Sequence, residues 1–172
     1  MTFDKRTGLE IERKYIIRMP SLSILESQPE YTKSEILQIY LTSDEGVTHR
    51  IRRRIFADRV VYTETEKRRV NRISSEETEG EISDEHFAYL SKRIKPGTTK
   101  LHKTRHTFLY LGQIFEIDVY PEWKKTAIME TELKNYDTKV EIPNFLTILK
   151  EVSGDKNYSN ASMSHCFPQE YE

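Results

Sequence analysis

Apolar and polar residues alternate along most of this 172-residue chain, and alternation with period two is the mark of a strand with two unlike faces. The pattern predicts strands near residues 8–17, 34–42, 46–56, 59–68, 76–82, 99–111, 113–120 and 126–135, joined mostly as a meander. "TSDEG" before residue 47, "FAD" around 57 and Gly112 between two aromatic-rich runs read as tight turns. Helices are expected at "PSLSILES", at "SDEHFAYLSKR" with Ser83 as N-cap and acids in its first turn, and at "PNFLTILKEV" after Pro143. A short helix near the C-terminus is signalled weakly. No repeat, low-complexity tract or Pro/Gly-rich linker divides the chain, so one domain over residues 1–172 is the expectation.

In a strand, residues i and i+2 share a face at about 7 Å, and this chain repeatedly puts polar sets on such faces whose charges are of one kind or nearly so. The sets are Glu10, Glu12 and Lys14; Arg50, Arg52 and Arg54; Thr63, Thr65 and Lys67; Glu77, Glu79 and Glu81; Lys103 and Arg105; Glu116 and Asp118; Glu130 and Glu132. A solvated sheet face also alternates, but it mixes signs, because like charges side by side repel. The intervening positions are largely apolar, among them Leu9, Ile11, Ile51, Phe108, Phe115, Ile117 and Met129, with Arg13, Arg53, Glu64 and Glu66 as exceptions. A closed barrel accommodates both faces: an ionic lumen, an apolar outer wall partly covered by helices, and no open strand edge.

Composition narrows the function. Lys and Arg number 27 against 28 Asp and Glu, with 32% of residues charged, so no global field recruits nucleic acid or membrane and any electrostatic role is local. The basic stretches "HRIRRR" and "EKRRVNR" follow the period-two pattern, which argues against a nucleic-acid patch. No apolar run approaches the ~18 residues of a membrane span, and "MTFDKRTG" lacks the apolar core of a signal peptide. The lone Cys166 excludes an internal disulfide and a cysteine-cluster zinc site. A cytoplasmic protein is the simplest expectation. The five histidines, His102 and His106 among them, show no zinc spacing, and Tyr40, Tyr62 and Tyr110 read as residues of the barrel wall. Clustered Arg and Lys match phosphate oxygens, and clustered carboxylates without His or Cys match hard ions such as Mg²⁺ or Mn²⁺. Together they describe a site for a metal-bound polyphosphate.

At these residues the chain resembles the CYTH superfamily, the triphosphate tunnel metalloenzymes. Glu10-x-Glu12-x-Lys14 looks like that family's E-x-E-x-K strand. The resemblance continues in order through "QIYL" at 38–41, "RIRRR" at 50–54, "TETEK" at 63–67, "EETEGEI" at 76–82, "KTR" at 103–105, "FEID" at 115–118, "METEL" at 129–133 and "EVSGDKNYSN" at 151–160. The resemblance implies a mainly β fold, a closed eight-stranded antiparallel β-barrel with a few peripheral helices, acting on triphosphates with Mg²⁺ or Mn²⁺. Carried over, the first metal ligands are Glu10, Glu12 and Glu132, with Glu130 and Asp118 beside them. The phosphate-binding residues are Lys14, Arg50, Arg52, Arg54, Lys67, Lys103 and Arg105. Lys14 and Glu12 are the candidate catalytic residues, with Lys14 or a luminal glutamate as general base. Family members usually carry an Arg two residues before the first acid of the second acidic strand, where this chain has Ser75; Arg72 lies three residues further back and out of phase. "GDKNYSN" is placed to cap one end of the tunnel, with Lys156 within reach of the site.

The expected reaction is hydrolysis of a small triphosphate, inorganic triphosphate foremost, with thiamine triphosphate or a nucleoside triphosphate as other substrates. The alternative is a class IV adenylyl cyclase, whose members typically start with a His-Phe pair ahead of the acidic strand; the residues before Glu10 lack it. A non-catalytic polyphosphate binder is the third reading, against which the carboxylates in several strands argue. A small triphosphate is the expected partner, nucleic acid and membrane are not, and a homodimer is left open.

Overall fold

The computed structural model describes residues 5–172. Its elements run β1 (Arg6–Arg18), α1 (Leu22–Glu26), β2 (Thr32–Leu41), β3 (Val47–Ile55), β4 (Val60–Arg69), β5 (Ser74–Glu81), α2 (Asp84–Ser91), β6 (Leu101–Tyr110), β7 (Gln113–Val119), β8 (Thr126–Glu132), β9 (Ile148–Glu151) and α3 (Asn160–His165). The strands pair in the order β5-β4-β3-β2-β6-β7-β8-β1-β9, and β5 also pairs with β1. Every pairing is antiparallel, so the first eight strands close a barrel.

Closure depends on the length of β1. One of its edges meets β8 over Glu12–Arg18. The other meets β5 over Arg6–Ile11 and then β9 over Tyr15–Ile17. Between those two partners, Glu12 N donates to Ile73 O and Val152 N to Lys14 O, so the edge stays satisfied where β5 has ended. The turn between β6 and β7 puts Leu111 and Gly112 at φ 47° and 77°, the two positive values that a two-residue hairpin requires.

The apolar positions form three clusters. Tyr15, Ile17, Phe108, Phe115, Ile117 and Met129 pack outside the wall beneath Leu25 of α1 and Leu146. Ile39, Leu41 and Ile51 are covered by Phe87 and Leu90 of α2. That helix starts as expected: Ser83 Oγ accepts from His86 N at 3.1 Å, with Asp84 and Glu85 in the first turn. Eight residues are too few to hold a helix alone, and burial of Phe87 and Leu90 at ~1.5–3 kcal/mol each supplies what propensity does not. The third cluster joins Leu101, Tyr120 and Ile128 to Trp123 and Met163. Leu101, Tyr120 and Ile128 are in phase with Lys103, Asp118 and Glu130, so this cluster closes the lumen at one end, beneath α3.

Two expectations are corrected. The segment after Pro143 is not a helix. Leu146 N turns back to Pro143 O, and Ile148–Glu151 instead extends as β9 along the edge of β1 that β5 leaves free. Tyr40 is not a wall residue. It is in phase with Gln38 and turns into the lumen, accepting a hydrogen bond from Gln38 Nε2 at 2.6 Å, whereas Tyr62 packs outside on Phe87 and Tyr110 on Phe115.

Candidate active site

The lumen holds a chamber of about 490 Å³, within the range of small-molecule sites. Its walls carry Glu10, Glu12 and Lys14 from β1, Tyr40 from β2, Arg50, Arg52 and Arg54 from β3, Lys67 from β4, Glu77 and Glu79 from β5, Arg105 from β6, Glu116 from β7, and Glu130 and Glu132 from β8. The arginines of "HRIRRR" that alternate at 50, 52 and 54 therefore face inward, away from any outer nucleic-acid surface.

Some of these charges are already matched. Lys14 Nζ lies 2.8 Å from Glu130 Oε1 and donates to Tyr158 O. Burial opposes its charge, yet Glu130 and Glu12 hold the ammonium above the ordinary lysine range. Paired with Glu130, Lys14 thus stands in the chamber as a cation. Glu130 also accepts from Arg105 at 3.1 Å; against the effect of burial, Lys14 and Arg105 keep it well below the usual carboxylate range. Lys67 and Arg50 converge on Glu77 at 2.5 and 3.7 Å. Arg105 reaches Glu116 at 2.5 Å.

The remaining charges form no ion pair among the described residues: Arg52 and Arg54 on one side, with Glu79, held by Thr65, near them, and Glu10, Glu12 and Glu132 on the other. Arg52 donates only to Gln38 Oε1, at 3.1 and 3.0 Å, and Arg54 only to Ser34 Oγ, at 2.8 Å. Burial, with Arg50 and Arg105 nearby, pulls Arg52 down to about 10. On the other side Glu12 stands directly across from Glu132 in the β1–β8 register, with Glu10 two residues along. Burial and the charge of Glu77 push Glu10 up to about 7, and burial with Glu116 and Glu12 raises Glu132. Arg52 and Arg54 thus have room for an anion, and Glu10, Glu12 and Glu132 for a cation.

The predicted residues therefore divide. Glu10, Glu12, Glu130, Glu132, Lys14, Arg50, Arg52, Arg54, Lys67 and Arg105 all line the chamber, but Lys103 and Asp118 do not. Those two side chains have no exposure and pair with each other, at the level where the lumen is filled. Glu130 is engaged by two cations, which leaves Glu10, Glu12 and Glu132 as the acids available to a metal. Their chemistry, three carboxylates that make no ion pair, fits a hard divalent cation. Among the described residues no three acidic or histidine side chains are already gathered at ligand spacing. Sequence reasoning missed Gln38 and Ser34, whose phase with Tyr40 was the available signal. It gave Arg72 no role and expected Lys156 to reach the site; with Arg69, both sit on the chamber rim. Arg72 belongs to a turn without periodicity. A Cβ at Gly154, which has φ 74°, would collide with the Arg72 side chain and carbonyl, so the 152–156 loop is seated against this turn.

Solved structures with this architecture are similar in sequence only at a distance. The inorganic triphosphatase NE1496 aligns with 92% of this chain and 96% of its own, at 25% identity and a TM-score of 0.59. A second structure of NE1496, described as a hypothetical protein, gives 26% identity and 0.57 over 92% and 99%. The PH1819 protein from Pyrococcus horikoshii covers 74% of this chain and 80% of its own, at 22% identity and 0.53. No family model and no curated protein matches the sequence. No helix among the described residues is long and apolar enough to cross a membrane. The order of strands, the barrel closed through β1 and β5, and the charged lumen are together those of the CYTH, or triphosphate tunnel, fold.

Proposed function

We propose that this protein is a divalent-metal-dependent hydrolase of small triphosphates, with inorganic triphosphate cut to pyrophosphate and phosphate as its reaction. The observation that carries the reading is the arrangement of charges that make no ion pair: Arg52 and Arg54 on one side, and Glu10, Glu12 and Glu132 together on the other. A triphosphate with a bound cation supplies a partner to each side at once. The similarity over nearly the whole chain to a structure described as an inorganic triphosphatase supports the same reading.

In this reading Arg50, Arg52 and Arg54 grip the phosphate oxygens, with their planar guanidinium groups fixing direction, and Arg105 adds what its Nη1 offers. Lys14 and Lys67 act as point charges at the boundary with the acids. The carboxylates of Glu10, Glu12 and Glu132 would hold Mg²⁺ or Mn²⁺, which when bound supplies charge neutralisation and lowers the pKa of water. Phosphoryl transfer asks little covalent chemistry of a protein, so positioning and charge stabilisation account for catalysis here. The burial of Lys14 and Arg105 keeps their fields unscreened by water. The direct test offers inorganic triphosphate, ATP and thiamine triphosphate in parallel with Mg²⁺ or Mn²⁺. Phosphate released chiefly from inorganic triphosphate supports the reading, and cyclic AMP with pyrophosphate from ATP overturns it.

A further inference from the structure

Beneath the chamber lies an ion pair that no ligand reaches. Lys103 Nζ is 2.5 Å from Asp118 Oδ2, and both side chains have 0% exposure. Removing two charges from water is costly, and such a pair is weak evidence for stability by itself. Its geometry points to a second role. Arg105 stands opposite Asp118 in the β6–β7 register. It donates to both Asp118 oxygens, Nε to Oδ1 and Nη2 to Oδ2, each at 2.7 Å. Such a fork fixes the guanidinium plane as well as its position.

The other Arg105 donors follow from that plane. Nη2 also reaches Glu130 at 3.1 Å and Nη1 reaches Glu116 at 2.5 Å. A guanidinium has five N–H groups. Three of them donate to Asp118 and Glu130, and Nη1 lies against Glu116, so what Arg105 offers the chamber it lines is confined to Nη1. Asp118 thus fixes which nitrogen of Arg105 faces the chamber. Lys103, two residues from Arg105 on β6, approaches Asp118 from the filled end of the lumen, 5.8 Å from the Tyr120 ring centre.

We propose that Asp118 and Lys103 are positioning residues for the anion site and touch neither ligand nor metal: Asp118 sets the plane of Arg105, and Lys103 balances Asp118 from behind. The proposal rests on the triphosphate reading of the chamber and replaces the direct phosphate and metal roles that the resemblance implies for this pair.

The test is calorimetric binding of inorganic tripolyphosphate without divalent metal, over a salt series, with thermal melts alongside. Lys103→Met weakens binding less than about fivefold and leaves the salt dependence unchanged, whereas Arg50→Gln flattens it by one contact. The double variant Lys103→Met/Asp118→Leu regains the thermal stability that each single change loses, because an apolar pair replaces both ions. It still binds about tenfold more weakly than wild type, because Arg105 has lost its clamp. A salt dependence flattened by Lys103→Met as by Arg50→Gln makes Lys103 a direct ligand and overturns the proposal. So does a double variant that recovers affinity together with stability, since the pair is then structural only. If the wild type binds tripolyphosphate neither in this metal-free titration nor in a parallel one with Mg²⁺, the triphosphate reading falls and takes this proposal with it.

Discussion

Glu12 and Glu132 face each other directly across the β1–β8 pairing, while one step further along the lumen Lys14 faces Glu130 and closes to 2.8 Å. Two neighbouring steps of the same ladder thus hold opposite solutions, a repulsive pair and a matched one. Directly opposed like charges cost ~0.2–1 kcal/mol, so Glu12→Gln should stabilise the metal-free protein by about 0.5 kcal/mol, raising its melting temperature by about 1–2 °C. The same change should weaken Mn²⁺ binding about ten- to hundredfold. Melts in chelator and Mn²⁺ titrations check the two halves separately.

The pH dependence of stability has a definite sign. Glu10 titrates near 7 in the folded chamber against 4.5 as its ordinary value. Between these values the folded state binds more protons than the unfolded one, so stability falls as pH rises. The contribution is fully present below pH 4.5 and lost through pH 7. Denaturant titrations of the metal-free protein between pH 5 and 8 should show this decline, and Glu10→Gln should flatten it. Metal affinity should move the other way, rising through pH 7 as the proton leaves.

Removing one unmatched cation should act on the ligand and not on the fold. Arg52 has no acid partner and donates only to Gln38, so Arg52→Gln relieves a buried positive charge. Tripolyphosphate affinity should fall about ten- to hundredfold, the worth of a charge-assisted contact. The melting temperature of the empty protein should hold or rise. A loss of stability equal to the loss of affinity would assign Arg52 a structural role.

Much of the chamber was legible because a strand is a linear code. Position parity states which face a side chain takes, and the charged sets from Glu10 to Glu132 share the lumen face as read. Parity does not state height along the axis. Lys103 and Arg105 are in phase, yet Arg105 lines the chamber and Lys103 is sealed below it. Nor does parity reveal which charges neutralise one another: the resemblance set Glu132 ahead of Glu130 as a metal ligand, and the cations beside Glu130 give the physical reason. The 143–152 segment misled because its apolar spacing suits a helix as well as an edge strand. The unpaired stretch of β1 decided the matter. Arg72 and Lys156 come from irregular backbone, where no period speaks.

The loop that carries Lys156 tests whether the rim matters. Gly154 has φ 74° and no room for a Cβ against Arg72. Gly154→Ala should cost about 1–2 kcal/mol from the left-handed backbone alone, lowering the melting temperature by about 3–6 °C. By displacing Lys156 and Arg72 it should also slow tripolyphosphate association, more at low salt than at high salt. Stopped-flow binding at two ionic strengths reads this directly.

The most direct measurement is a crystal structure with tripolyphosphate and Mn²⁺, with the metal located by its anomalous scattering. The segregated-charge account predicts Mn²⁺ between Glu10, Glu12 and Glu132, with phosphate oxygens on Arg50, Arg52 and Lys14. Phosphates bound outside the barrel, or Mn²⁺ on Asp118 with Glu12 and Glu132 left facing each other empty, would contradict it.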